Sequence, residues 1–323
     1  MTEIERIKEK GIIPEKFFQE ETRNDCLITV ARKEIWAVEL DLFFEFKRIC
    51  DKHNLKYFLF YGSLLGAIRH NGFIPWDDDF DVAMLRSDYD KLNSLWSEFK
   101  KPYFLENHKT DKECYFSYST LRNSNTAWVS RILSYNNNNQ GMFIDIFPID
   151  NVIPDDFANE KYNQIRNLVK DLGSYMRRNN PYLDENNKKR VRDLGCFDAD
   201  QVWESVQSLA CSYNTAPSNN YWSSCITVYP YEKQVFDKSD FKKNININFE
   251  GFEFPVPIGF ENILSTLYGN WKLFPPEDAR KWHTGSIINT KRSYIDIQKE
   301  LKEIFLNNNS LEINENQIKG IVI

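Results

Sequence analysis

Four aspartates within five positions, Asp77-Asp78-Asp79-Phe80-Asp81, are the residues of this chain best suited to chemistry. Side chains alternate faces along an extended segment, so Asp79 and Asp81 point one way while Phe80 and Val82 point into a core. Asp77 shares their face at the mouth of the strand, and Asp78 takes the other. Neighbouring carboxylates repel, and the remedies are a shared proton, a basic partner or a divalent cation. A further aspartate, Asp145, interrupts the apolar run from Met142 to Phe147, where a lone carboxylate is expensive to bury. If the two strands lie side by side, three carboxylates converge. Three oxygen ligands with open positions suit Mg²⁺ or Mn²⁺, which bind through a few carboxylates plus substrate phosphates. Upstream, Gly62-Ser63 at a strand end offers small residues and free N–H groups that let a phosphate approach the backbone. Each part alone is an ordinary turn or solvated edge. Their order, strand, Gly-Ser, helix, Asp-x-Asp and a later buried Asp, reads as a site for a nucleotide diphosphate and a metal.

Elements must hold these residues in place. Apolar residues at steps of three and four, Ile35, Val38, Leu42, Phe46 and Ile49, predict an amphipathic helix over 33–50, ended by His53-Asn54. The aromatic run 57–61 predicts a buried strand, and a short helix is expected from Leu64 to about His70. Residues 71–75 form a turn, 77–84 alternate like a strand, and 87–99 read as a helix with Ser87 as its N-cap. From 102 to 150 the pattern is strand-rich, interrupted by the Asn136 to Asn139 loop. A helix over 159–176, a polar stretch to Asp200, short strands over 227–257, a helix over 260–268 and a last amphipathic helix over 295–306 complete the reading. The expected fold class is α+β, a mixed β-sheet core flanked by helices, with a helical insertion and a C-terminal helix. The expected organisation is a leader over 1–32, one catalytic domain over 33–285 with a polar insertion at about 179–200, and a helical tail over 286–323.

The 323 residues carry 41 basic and 47 acidic side chains, a formal charge of −6 that argues against a phosphate-neutralising nucleic-acid binder. Aromatics make up 15%, enough for a bulky core, a stacking surface or both. The first ten residues lack the apolar stretch of a signal peptide. No run approaches the roughly 18 apolar residues of a membrane-spanning helix, so a cytoplasmic protein with at most peripheral membrane contact is expected. Six scattered cysteines without metal spacing read as reduced, mostly buried thiols.

Residues 57–84, YFLFYGSLLGAIRHNGFIPWDDDFDVAM, resemble the LicD/fukutin family of phosphotransferases, with its Gly-Ser-Leu-Leu-Gly segment followed by Trp-Asp-Asp-Asp-hydrophobic-Asp. Further likenesses are FIDIFPID over 143–150, FEG over 249–251, and the Tyr-Gly, Pro-Pro and His block over 268–283, where Asn270 stands in place of the family's frequent Asp. The resemblance implies a nucleotidyltransferase-like fold and an enzyme that moves phosphocholine from CDP-choline to a hydroxyl of a cell-surface glycan, releasing CMP. A lipopolysaccharide or teichoic acid, or a lipid-linked precursor, is the implied acceptor. It implies Asp79, Asp81 and Asp145 as ligands of Mg²⁺ or Mn²⁺, and Gly62, Ser63, Arg69 and His283 as donor contacts, with His70 a weaker candidate. Either Asp145 or Asp150 would accept the proton of the attacking hydroxyl. A choline head group is held by aromatic faces, for which Trp76, Tyr61, Trp271 and Trp282 are candidates. Ribitol, glycerol or ethanolamine phosphate would suit the same acidic motif, nucleotidyl transfer uses the same triad, and a non-catalytic nucleotide binder is the reading from another class.

Overall fold

The structure, a computed structural model, describes residues 1–154, 157–216, 220–227, 229–280, 286–313 and 317. Thr2 and Glu5 cap α1 (Glu3–Glu9) reciprocally, and a hairpin of β1 (Glu21–Arg23) and β2 (Cys26–Ile28) follows. These opening residues place Ile4, Ile7, Phe17, Phe18 and Ile28 in the same apolar core as the residues expected to follow the leader, from Ile35 onward. The stripe expected over 33–50 lies within α2 (Val30–His53), capped by Thr29 and closed by Asn54 in the left-handed region.

The aromatic run yields only β3 (Phe58–Leu59) before the chain turns into α3 (Tyr61–His70), so Gly62 and Ser63 occupy the first turn of that helix. β4 (Asp81–Leu85) starts later than the alternation suggested, and Asp77, Asp78 and Asp79 lie on the loop leading into it. α4 (Arg86–Ser94) follows with no break, which puts Ser87 inside the helix instead of at its cap. Next come β5 (Tyr103–Glu106), β6 (Ser119–Asn123), β7 (Ala127–Ser130) and β8 (Met142–Val152). The insertion is helical: α5 (Ala158–Met176), α6 (Glu185–Asp193) and α7 (Ala199–Cys211). The rest is β9 (Tyr221–Ser223), β10 (Val235–Asp237), β11 (Asn244–Phe249), β12 (Phe252–Pro257), α8 (Phe260–Tyr268), β13 (Ser286–Asn289) and α9 (Tyr294–Asn308), the last being the expected C-terminal helix.

The architecture is a mixed α+β fold organised around β8, which is long enough to serve three partners. It runs parallel to β4 over Asp145–Ile149 and antiparallel to β6 over Met142–Ile146, and its far end pairs antiparallel with β9. β3 lies beyond β4, β10 beyond β9 and β5 beyond β6, giving a seven-stranded sheet. Its core unites the sheet with α2 and the β11–β12 hairpin through rings such as Trp36, Phe43, Phe80, Phe249 and Phe254. A second apolar cluster joins α5 to α7 through Tyr162, Ile165, Leu172, Met176 and Val206, and a third joins β7 and β13 to α9. All six cysteines are free: three are buried, Cys26 and Cys211 are half-buried, and Cys196 is exposed. Among the described residues no helix is long and apolar enough to cross a membrane.

Candidate active site

Parallel pairing of β4 with β8 sets Asp81 directly opposite Asp145, the convergence that the two acidic motifs required. The Asp145 amide donates to the Phe80 carbonyl at 2.8 Å, which locks the register at the point where the acidic loop enters the sheet. Asp81 is gripped by the first turn of α3. The Gly62 amide donates to its Oδ2 at 3.1 Å, and the Asp81 amide donates to the Ser63 hydroxyl at 2.8 Å. Gly62 is needed for closeness: a Cβ there would stand 2.8 Å from Asp77 Oδ2, 3.5 Å from Asp81 Oδ2 and 3.8 Å from Asp79 Oδ1. Three carboxylates therefore gather on one glycine at a helix N-terminus, where the partial positive charge favours them. Tyr61, just before that glycine, holds a left-handed φ of 39°, and its hydroxyl donates to Gln234 Oε1 at 2.8 Å.

Burial works against these charges. It raises the Asp81 carboxyl well above the usual range, with Asp79 and Asp145 adding repulsion. It pushes Asp145 up to about 8, again with Asp79 second, while the Tyr118 hydroxyl and the Arg122 guanidinium pull the other way. Asp145 Oδ1 is buried and has no hydrogen-bond partner. Beneath the loop, the buried Arg32 donates from Nη1 to the Asp77 carbonyl at 2.8 Å. Glu39, also on α2, is fully buried behind Asp78 and Asp79, and burial raises its pKa strongly. Neither Arg32 nor Glu39 stands out in the sequence, because each interrupts the stripe of a helix that otherwise reads as core.

The donor set is all oxygen, as a hard divalent cation prefers, and its repulsion and its orphaned oxygen are what such a cation would relieve, so the residues present fit one. Among the described residues no three His, Cys, Asp or Glu side chains are drawn tightly enough together to close on an ion unaided. The carboxylates instead surround one end of a cavity of about 640 Å³. Tyr61, Tyr115, Phe116, Tyr118, Phe147 and Tyr229 line it, as do Lys170 on α5, Arg177 at the C-terminal end of α5 and Arg190 on α6.

Other expected site residues lie elsewhere. Asp150 accepts from Arg86 through Nε at 2.8 Å and Nη2 at 2.6 Å, and from Asn214 at 2.6 Å, so its oxygens are committed to a buried ion pair. Arg69 donates to the Trp271 and Leu273 carbonyls at 2.9 and 3.2 Å, tying the end of α3 to the segment after α8. Trp76 packs edge-on to His70 and Phe274, with the Arg280 and Arg69 guanidiniums 5.1 and 5.9 Å from its ring, so cations of the protein already occupy its surroundings. Trp271 is buried in the main core. Of the aromatic candidates, Tyr61 lines the cavity, and Trp76 and Trp271 do not. His283 and Trp282 lie outside the described residues.

Comparison with known proteins fits this geometry. The family model described as LicD/FKTN/FKRP, nucleotidyltransferase domain, matches residues 54–170, the stretch that holds Gly62, the acidic loop and Asp145. The chain is 26% identical over 254 residues to the lipopolysaccharide cholinephosphotransferase LicD of Haemophilus influenzae, covering 78% of this chain and 95% of that protein. Over 50 residues it is 42% identical to uncharacterized proteins of Rickettsia prowazekii and Rickettsia typhi, 16% of this chain and 19% and 16% of theirs.

Proposed function

Since this chain belongs to the LicD/FKTN/FKRP family, we propose that it transfers phosphocholine from CDP-choline to a hydroxyl of a cell-surface glycan or glycan precursor, with release of CMP. The observation that carries the reading is the register of β4 on β8, which faces Asp81 with Asp145 at the mouth of a cavity large enough for a nucleotide donor. In this reading Asp79, Asp81 and Asp145 hold Mg²⁺ or Mn²⁺. The ion supplies neutralisation of the charge that builds on the departing cytidine phosphate. The protein's own part is positioning: the α3 N-terminus fixes Asp81, the Arg32 contact fixes the loop, and the sheet fixes Asp145. The tyrosine-rich wall suits a quaternary ammonium, which binds aromatic faces without needing a hydrogen bond. Of the two candidate proton acceptors, the geometry favours Asp145, which carries an unpartnered oxygen, over Asp150, which Arg86 engages. The acceptor's proton would pass to that carboxylate as the hydroxyl oxygen attacks the choline-bearing phosphorus.

The test is phosphorus NMR of the purified protein with Mg²⁺, CDP-choline and a lipopolysaccharide acceptor. CMP together with a new phosphodiester signal is expected. Turnover with CDP-ribitol, CDP-glycerol or CDP-ethanolamine in preference would reassign the alcohol. Pyrophosphate released from CTP, with no reaction of any CDP donor, would overturn the reading in favour of nucleotidyl transfer.

A further inference from the structure

Residues 161–195 carry nine Lys and Arg against four Asp and Glu, a local charge of +5 in a chain whose total is −6. Most of these cations have partners. Arg178 pairs with Glu113 at 3.1 Å, Lys188 and Arg192 both reach Glu185, and Lys161 lies 3.7 Å from the Tyr213 ring centroid. What sets Lys170, Arg177 and Arg190 apart is that they line the cavity, and among the described residues none of the three has a carboxylate within ion-pair distance. Arg177 is half-buried, and its one hydrogen bond is to the neutral Asn187 Oδ1 at 2.7 Å. Burial lowers its pKa and the like charge of Arg190 adds to this, with the Asp184 carboxylate pulling the other way. Like charges held together on a cavity lining are relieved by an anion as the carboxylates of the same cavity are relieved by a cation.

Building on the proposed use of a cytidine diphosphate donor, we propose that Lys170, Arg177 and Arg190 form a phosphate subsite contributed by the helical insertion, on the cavity that the carboxylates also line. Two guanidinium forks and an ammonium match the oxygens of a phosphate ester, with Arg offering paired, directional donors and Lys a point charge. The subsite also answers an electrostatic difficulty of the cavity, because a diphosphate approaching three carboxylates is repelled unless positive charge lines the cavity as well. The phosphate has two possible sources of one chemistry: the donor's diphosphate, or a phosphate carried by the glycan acceptor.

Isothermal titration of the full chain in Mg²⁺ separates them, using CDP, inorganic pyrophosphate, glucosamine 6-phosphate and cytidine as probes. Arg177→Gln and Arg190→Gln are each expected to weaken CDP and pyrophosphate about 10-fold, the loss of one charged hydrogen bond, with cytidine unchanged. Arg177→Lys should retain part of the affinity, and circular dichroism of each variant checks that it is folded. If CDP and pyrophosphate are unaffected and glucosamine 6-phosphate alone is weakened, the subsite stands and its phosphate comes from the acceptor. If wild type binds pyrophosphate through these residues yet no cytidine compound, the subsite stands and the cytidine donor fails. Equal binding of every phosphate probe by folded variants and wild type, or no phosphate binding by wild type, overturns the subsite.

Discussion

Asp81, at the start of β4, is held by Gly62 and Ser63 in the first turn of α3, and that shapes what its removal should do. Asp81→Asn keeps the volume and an oxygen for the Gly62 amide while deleting one of the converging charges. We expect this variant to fold with unchanged or slightly higher stability without metal, to lose the Mg²⁺-induced rise in melting temperature, and to lose turnover. A melting temperature that still climbs with Mg²⁺ would remove Asp81 from the ligand set. His70 offers a separate test, away from the acids. Its Nε2 accepts from Arg69 Nε at 2.9 Å, so Nδ1 carries the hydrogen and donates to Asn24 Oδ1 at 2.7 Å. Burial first and Arg69 second lower its pKa from 6.5 to about 3. The folded state thus refuses a proton that the unfolded chain accepts, and stability present above pH 6.5 is lost as pH falls through the window from 6.5 to about 3. Urea denaturation of wild type and His70→Gln at pH 7 and pH 5 should show the smaller decline in the variant; parallel declines would refute the assignment.

One element distant in sequence from the acidic loop braces the turn that leads to it. The β11–β12 hairpin turns at Glu250, whose carboxylate accepts from both Arg23 nitrogens and from the Phe73 amide at 3.0 Å, while the Glu250 amide donates to the Asn71 carbonyl at 2.9 Å. The hairpin therefore clamps the turn between α3 and the acidic loop. Glu250→Gln removes the buried partner of Arg23 and leaves it the more exposed Glu21 at 2.6 Å, and a loss of about 2 kcal/mol in unfolding free energy is expected by chemical denaturation. Much of this level was legible beforehand. The stripe of α2, the strand at 142–147 and the helices α5, α8 and α9 all follow from apolar period, because packing on the core demanded it. The FEG motif stood out only by resemblance, since a clamp made by two segments so distant in sequence leaves no local pattern. Ser87 as a cap failed because α4 begins directly off β4, leaving no room for a capping residue. The meeting of Asp81 with Asp145 was legible because a carboxylate that breaks an apolar run is a local signal, whereas Asp79 reaches Gly62 from the loop and not by strand alternation. Which rings line the cavity was not legible, because that depends on how segments distant in sequence fold together.

At the scale of the whole molecule, two apolar clusters meet across the cavity and are not one continuous core. The sheet side is built on α2, β4 and β8; the insertion packs α5 against α7 through Tyr162, Ile165, Leu172, Met176 and Val206. The carboxylates belong to the first body and the unpaired cations to the second, so a ligand carrying both phosphate and metal would bridge them. A smaller core with its own boundary has a lower free energy of local opening than the large one, because fewer apolar contacts are lost when it exposes its backbone. Hydrogen exchange should therefore be faster across α5, α6 and α7 than across β4, β8 and the centre of α2. Adding CDP-choline with Mg²⁺ should slow exchange in α5 and α6 together with the loop at 77–80, because the ligand binds only the state in which both walls face each other. Mass-spectrometric exchange on wild type and on Arg177→Gln measures this. Slowing confined to the acidic loop in both proteins would mean that the ligand engages the sheet alone, and that the insertion covers the cavity without taking part in binding.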